Sequence, residues 1–212
     1  MKKEHVVPRR GLLEEIGNAI THGVGSVFAV VVFLLMILNS ETKVQTFSAI
    51  IYFLGMFVMF TMSCLYHSFK TDSKVKKLFR RFDYLSIYLL IGATYTPILL
   101  CYVGDAFGIV TCIIQWFIII CGITFIAVFG PHRIKWLHFS LYFILGWSGV
   151  LFFPTLYVNK IFFYLILGGG LIYTFGVIPF LLKKKVAHFI WHFFVLFGAI
   201  VQWIGIFITI YL

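Results

Sequence analysis

The sequence has 212 residues, of which 62% are hydrophobic and 11% are charged, and its mean hydropathy is +1.04. A composition this apolar excludes an ordinary soluble protein, and we predict an all-α integral membrane protein. The formal net charge of +10 is expected to set the topology and to attract anionic lipid, and no basic surface interleaved with aromatic residues indicates nucleic acid as a partner.

Seven apolar stretches are each long enough to cross a bilayer, which takes about 20 predominantly apolar residues. They cover residues 19–38, 46–66, 84–103, 107–129, 136–154, 161–182 and 186–211. We therefore predict a seven-transmembrane-helix bundle that occupies residues 1–212 as a single polytopic membrane domain. Only the five residues Gly104 to Gly108 separate the third and fourth stretches, which indicates a tight outer hairpin.

The basic residues fall in alternate connections between these spans. The N-terminal segment and every second connection hold Lys2, Lys3, Arg9, Arg10, Lys70, Lys74, Lys76, Lys77, Arg80, Arg81, Arg133, Lys135, Lys183, Lys184 and Lys185. The opposite connections hold only Lys43 and Lys160. By the positive-inside rule, the N-terminus is expected to be cytoplasmic and the C-terminus external.

The first span brings polar residues to its cytoplasmic end. Asn18, Thr21 and His22 lie in its first turns. Asn18 and His22 could orient a ligand of a nearby site as outer partners. Capping of the helix start and hydrogen bonds between helices explain the same residues nearly as well.

The second and third spans place further polar residues at the same depth. Ser63 and His67 lie at the cytoplasmic end of the second span, and Asp83 lies at the start of the third. Ionisable residues within spans are rare and default to functional candidates. An interfacial salt bridge with Arg80 or Arg81 remains an alternative role for Asp83.

The last span begins at the cytoplasm with a histidine pair. His188 and His192 are four residues apart and therefore share one helix face, as Ser63 and His67 do. A third imidazole from a facing helix, such as that of His67, would complete a three-histidine site. Neutral imidazole suits zinc, and three protein ligands with one open position are typical of catalytic zinc.

Four segments together resemble the hemolysin III group of bacterial membrane proteins, which is related to the adiponectin and progestin receptors. They are "EEIGNAITHGVG", "SCLYH", "FDYLSIYLLIGATYTP" and "HFIWHFFVLFGA", in this order along the chain. The resemblance implies a multi-pass protein of the bacterial plasma (inner) membrane, with a cytoplasmic N-terminus. It also implies zinc held by His67, His188 and His192, with Asp83 holding the water and Ser63 nearby. One departure is Gln202, since relatives often carry a further histidine in that part of the last span.

Three functions remain open at this point. The first is a zinc-dependent hydrolase of a lipid amide or ester, similar to the ceramidases, in which Asp83 is the general base and Ser63 stabilises the oxyanion. The second is a pore-forming cytolysin, and the third is a regulator that responds to zinc or lipid without turnover. A membrane lipid is the substrate or ligand in the first and third. Retinal chemistry is excluded, because the last span has no lysine beyond Lys185.

Overall fold

The computed structural model describes residues 8–182 and 184–212. Lys2, Lys3 and Lys183, which enter the topology prediction, lie outside the described residues. Seven helices of the described part are long and apolar enough to cross a membrane. They are α1 (Leu12–Leu38), α2 (Lys43–Ser68), α3 (Lys74–Val103), α4 (Ala106–Phe129), α5 (Lys135–Leu156), α6 (Lys160–Leu181) and α7 (Ala187–Tyr211). The predicted seven-helix architecture is confirmed.

Two helices begin earlier than the apolar stretches indicated. The structure starts α1 at Leu12 and α3 at Lys74, whereas the predicted spans begin at residues 19 and 84. The difference arises because an apolar-length criterion leaves out charged first turns. These turns continue the helices on the side that is predicted to be cytoplasmic, and they bring buried charged residues to the candidate site.

The helix starts follow the sequence through side-chain caps. The Thr42 hydroxyl accepts from the backbone of Gln45, and the Gln45 side chain accepts in return from the backbone of Thr42. The side chain of Ser73 accepts from the backbone of Lys76 at the start of α3, and that of Asp105 accepts from the backbone of Gly108 at the start of α4. Between α3 and α4 the chain turns at Gly104, whose φ of 65° lies in the left-handed region that glycine adopts without strain. The predicted tight hairpin is therefore present.

Helix packing is uneven around the bundle. The first three helices pack closely in sequence, α6 packs on α7, and α7 returns to α1. Small residues allow this approach, as where Gly55 of α2 faces Ala93 and the backbone of Leu89 in α3. By contrast, α5 contacts mainly α3 and few residues of α6. A cavity lies in the resulting space.

The orientation prediction can be tested with reporter fusions. A reporter placed after Lys70, in the connection between α2 and α3, should report the cytoplasm. Reporters placed after Gly104 and after Leu212 should both report the outside, because 15 of the 17 basic residues lie on the other face. If the Lys70 and Leu212 fusions report the same side, the shared depth of the candidate site residues is lost.

Candidate metal centre and cavity

Three histidines converge at the end of the bundle that is predicted to be cytoplasmic. His67 comes from the last turn of α2, and His188 and His192 come from the first two turns of α7. One ligand atom of each ring lies within 4.8 Å of the others. His67 and His192 are buried, and His188 is half-buried. This group has the composition and spacing to hold a metal ion.

The ring nitrogens are oriented for a shared ligand. The Nε2 atoms of His188 and His192 are 3.3 Å apart. Two nitrogens at tetrahedral positions around a metal with bonds of 2.0–2.1 Å are separated by about 3.3 Å. The Nε2 atom of His67 is buried without a hydrogen-bond partner among the described residues. An orphaned buried nitrogen costs free energy, and a metal at this point would satisfy it.

The other nitrogen of His67 is held by a buried carboxylate. Nδ1 lies 2.5 Å from Oε2 of Glu15, and the Asn18 amide lies 3.3 Å from the same nitrogen. When Nδ1–H donates to Glu15, the lone pair of Nε2 is directed at the candidate centre. A carboxylate partner of this kind fixes the tautomer and orientation of a metal-binding histidine.

Glu15 is in turn fixed by a buried lysine. Nζ of Lys76 lies 3.1 Å from Oε1 of Glu15 and donates to the backbone oxygen of Phe69 at 3.0 Å. The Lys76 side chain is 0% exposed. A buried ammonium needs such partners, and the pair therefore links the first turns of α1 and α3 to the end of α2.

Sequence analysis did not identify Glu15 or Lys76 as site residues. Both lie outside the predicted apolar spans. Lys76 entered the sequence analysis only as one of the basic residues that predict the membrane orientation. A signal was present for Glu15: with Asn18 and His22 it has the spacing i, i+3 and i+7, which places the three on one helix face.

His22 lies against the cluster without belonging to it. Its ring stacks on that of His192 with centroids 3.8 Å apart, and its edge meets Phe60 at 5.2 Å. The group that could share a metal does not include it. Asn18 contacts His67 and His22 contacts His192, so each residue predicted as an outer partner touches one candidate ligand.

Ser63 and Asp83 lie together beside the histidines. The Ser63 hydroxyl is within hydrogen-bonding range of the Asp83 carboxylate, and both residues line the cavity. The ion pairs of the described residues do not include the alternative salt bridge between Asp83 and Arg81. Arg81 donates to the backbone oxygen of Ala127 at 3.2 Å. Arg80 lines the cavity with Asp83.

The cavity has a volume of about 520 Å³ and runs from this end toward the middle of the bundle. At the end that is predicted to be cytoplasmic, it is lined by charged residues, the histidines of α7 and His22. Beyond them its walls are largely aromatic and aliphatic, including Phe143, Val177 and Phe180. Along α7 it reaches from His188 to Gln202, which at 1.5 Å per residue is about 21 Å. A single hydrocarbon chain fits such a space.

Gln202 lies at the deep end of this space and far from the histidines along α7. Its Nε2 donates to the backbone oxygen of Ile166 in α6 at 3.4 Å. The one departure from the resemblance therefore leaves the three-histidine group unchanged.

Comparison with known proteins shows which family the chain belongs to. The family model described as "Haemolysin-III related" matches residues 10–203. Hemolysin-3 of Bacillus cereus is 39% identical over 193 residues, which cover 88% of this chain and 87% of that protein. A Hemolysin-3 homolog of Bacillus subtilis (strain 168) is 34% identical over 192 residues, which cover 88% and 89%. The match includes every helix that contributes to the histidine cluster, and the chain belongs to the hemolysin III family.

Proposed function

We propose that this chain is a zinc-dependent hydrolase of a lipid amide or ester in the bacterial plasma membrane. The observation that supports it most is the position of three convergent imidazoles beside a cavity that also contains a carboxylate and a hydroxyl. A purely structural metal site does not require a cavity of this size beside it. The apolar continuation of the cavity favours a substrate with a hydrocarbon chain.

Zinc is the metal that this donor set favours. Three neutral imidazoles leave one tetrahedral position open, which is typical of catalytic rather than structural zinc. When bound, zinc lowers the pKa of a bound water to about 7 and polarises a carbonyl. The Glu15 carboxylate would keep His67 in the tautomer that metal binding requires.

Asp83 and Ser63 provide the groups for proton transfer and charge stabilisation. A carboxylate oxygen of Asp83 would accept the proton of the attacking water and pass it to the leaving group. The Ser63 hydroxyl would donate a hydrogen bond to the oxygen that becomes negative during attack. In the structure this hydroxyl contacts the Asp83 carboxylate, and its proton would turn to the substrate oxygen once Asp83 has accepted the proton of the water.

The cytolysin is a second candidate, because the two relatives are named as a hemolysin and a hemolysin homolog. A water-filled pore requires polar side chains along its length. The cavity wall beyond the histidines is mainly apolar instead. A regulator without turnover is the third candidate, and it shares the metal centre but not the role of Asp83.

We expect the purified chain to contain about one zinc ion. Replacement of His188 and His192 together by alanine removes two of three ligands and should abolish retention. Elemental analysis after gel filtration measures the ratio. Full retention in the double variant would contradict the assignment of the ligands.

Glu15→Gln should weaken zinc binding by about 10- to 100-fold, because the amide cannot hold His67 as the carboxylate does. Competition with a chromogenic chelator measures the affinity. Glu14→Gln is the matched control, since Glu14 lies 3.9 Å from Arg10 and contacts no histidine of the cluster. An equal loss in both variants would show that Glu15 has no specific role.

Asp83→Asn should retain zinc and lose hydrolysis by about 10²- to 10⁴-fold, the range for a lost general base. Wild type and variant are incubated with ceramides, N-acyl amines and phospholipid esters, and released fatty acid is measured. Absence of zinc-dependent release from the wild type would favour the regulator. Dye leakage from liposomes that survives both Asp83→Asn and zinc removal would favour the cytolysin.

A further inference from the structure

Two pairs of adjacent arginines lie at the cytoplasmic end of the bundle, and the members of each pair have different surroundings. Arg9 and Arg81 are on the outside: Arg9 pairs with Asp72 at 3.1 Å, and Arg81 donates to the Ala127 backbone. Arg10 and Arg80 line the cavity. The side chain of Arg9 is 78% exposed, whereas that of Arg10 is 14% exposed.

The guanidinium groups of Arg10 and Arg80 line the mouth of the cavity, which is its charged end. Asp83 is the acidic residue among the described residues that line the cavity, and Lys135, which also lines it, is exposed. A buried guanidinium N–H without an acceptor costs free energy, so such a donor in the cavity wall favours a ligand with acceptor oxygens.

Arg10 still has donor capacity for such a ligand. Its closest acidic partner is Glu14, at 3.9 Å from Nε, and its Nη1 is buried without a hydrogen-bond partner among the described residues. Tyr66 is within hydrogen-bonding range of Arg10, and Tyr84 is within range of Arg80. These hydroxyls hold the two guanidinium groups at the cavity wall.

We propose that this mouth binds the phosphate of an anionic lipid whose hydrocarbon chain occupies the apolar part of the same cavity. A phosphate monoester carries a charge of about −1.5 to −2 and three acceptor oxygens, which matches the guanidinium donors of the mouth. The bond to be cut then lies between the phosphate and the end of the chain, at the depth of Asp83 and the histidines. The inference rests on the proposed function in treating this lipid as a substrate.

Hexadecyl phosphate and hexadecanol are suitable probes, because they share a chain, differ in the phosphate, and contain no amide or carboxylic ester. The full chain is placed in phosphatidylcholine nanodiscs, and native mass spectrometry measures the fraction of the protein that has bound each probe. Charge-assisted hydrogen bonds contribute about 1.5–3 kcal/mol each, so we expect hexadecyl phosphate to bind at least about 10-fold more tightly. The preference should persist after metal removal by a chelator.

The paired arginines provide matched controls. Arg10→Gln and Arg80→Gln should each weaken hexadecyl phosphate binding by about 10-fold, and Arg9→Gln and Arg81→Gln should leave it within about twofold. Hexadecanol binding should be unchanged in all four variants and serves as the test of folding. If a glutamine variant fails to fold, the wild-type preference between the two probes still decides the proposal.

Four results would overturn the proposal. Equal affinity of the wild type for both probes would show that the mouth does not recognise phosphate. An equal loss in all four arginine variants would indicate general attraction to the basic surface. Loss of the preference on metal removal would show that the lipid phosphate binds to the metal. Displacement of hexadecyl phosphate by equimolar inorganic phosphate would show that the site is one for free phosphate.

The outcome is separable from that of the proposed hydrolase, since neither probe can be hydrolysed at an amide or carboxylic ester. A phosphate preference without hydrolysis of any lipid would remove the proposed function and keep the binding site. Hydrolysis of a neutral amide without a phosphate preference would keep the proposed function and remove the phosphate-binding site.

Discussion

The buried ion pair between Glu15 and Lys76 is the interaction on which the candidate centre depends. It joins the first turns of α1 and α3, and through His67 it also fixes the end of α2. Removal of one member of a buried pair costs about 3–5 kcal/mol, because the other charge is left without compensation. The pair is therefore a strong constraint on how the three helices are rotated relative to one another.

That constraint decides which faces of the helices meet the cavity. With Glu15 directed at His67, the same face of α1 presents Asn18 to His67 and His22 to His192. Rotation of α1 by one residue would turn this face by about 100° and separate all three contacts. Histidines from two helices far apart in sequence can thus share one point, where Nε2 of His67 is buried without a hydrogen-bond partner among the described residues.

The sequence predicted the seven helices and the convergence of three histidines, for two physical reasons. A bilayer imposes a minimum apolar length, which is readable residue by residue, and ionisable residues inside that length are rare enough to be candidates. The criterion of apolar length did not identify Glu15, Lys76 and Arg80 as residues of the site, because it treats charged first turns of helices as connections. Whether an arginine at a helix start faces lipid headgroups or a cavity depends on helix rotation and on the space between α5 and α6, and adjacent residues such as Arg80 and Arg81 have the same local sequence.

The order of the interacting residues along the chain has a consequence for biosynthesis. Glu15 enters the membrane region with α1, but its partner Lys76 follows only with α3, and the histidines of α7 come last. During insertion the carboxylate must therefore remain near water or a transient partner until the third helix is made. The candidate metal site is complete only when the final helix docks, so a chain that stops before α7 would contain the ion pair but could not assemble the three histidines.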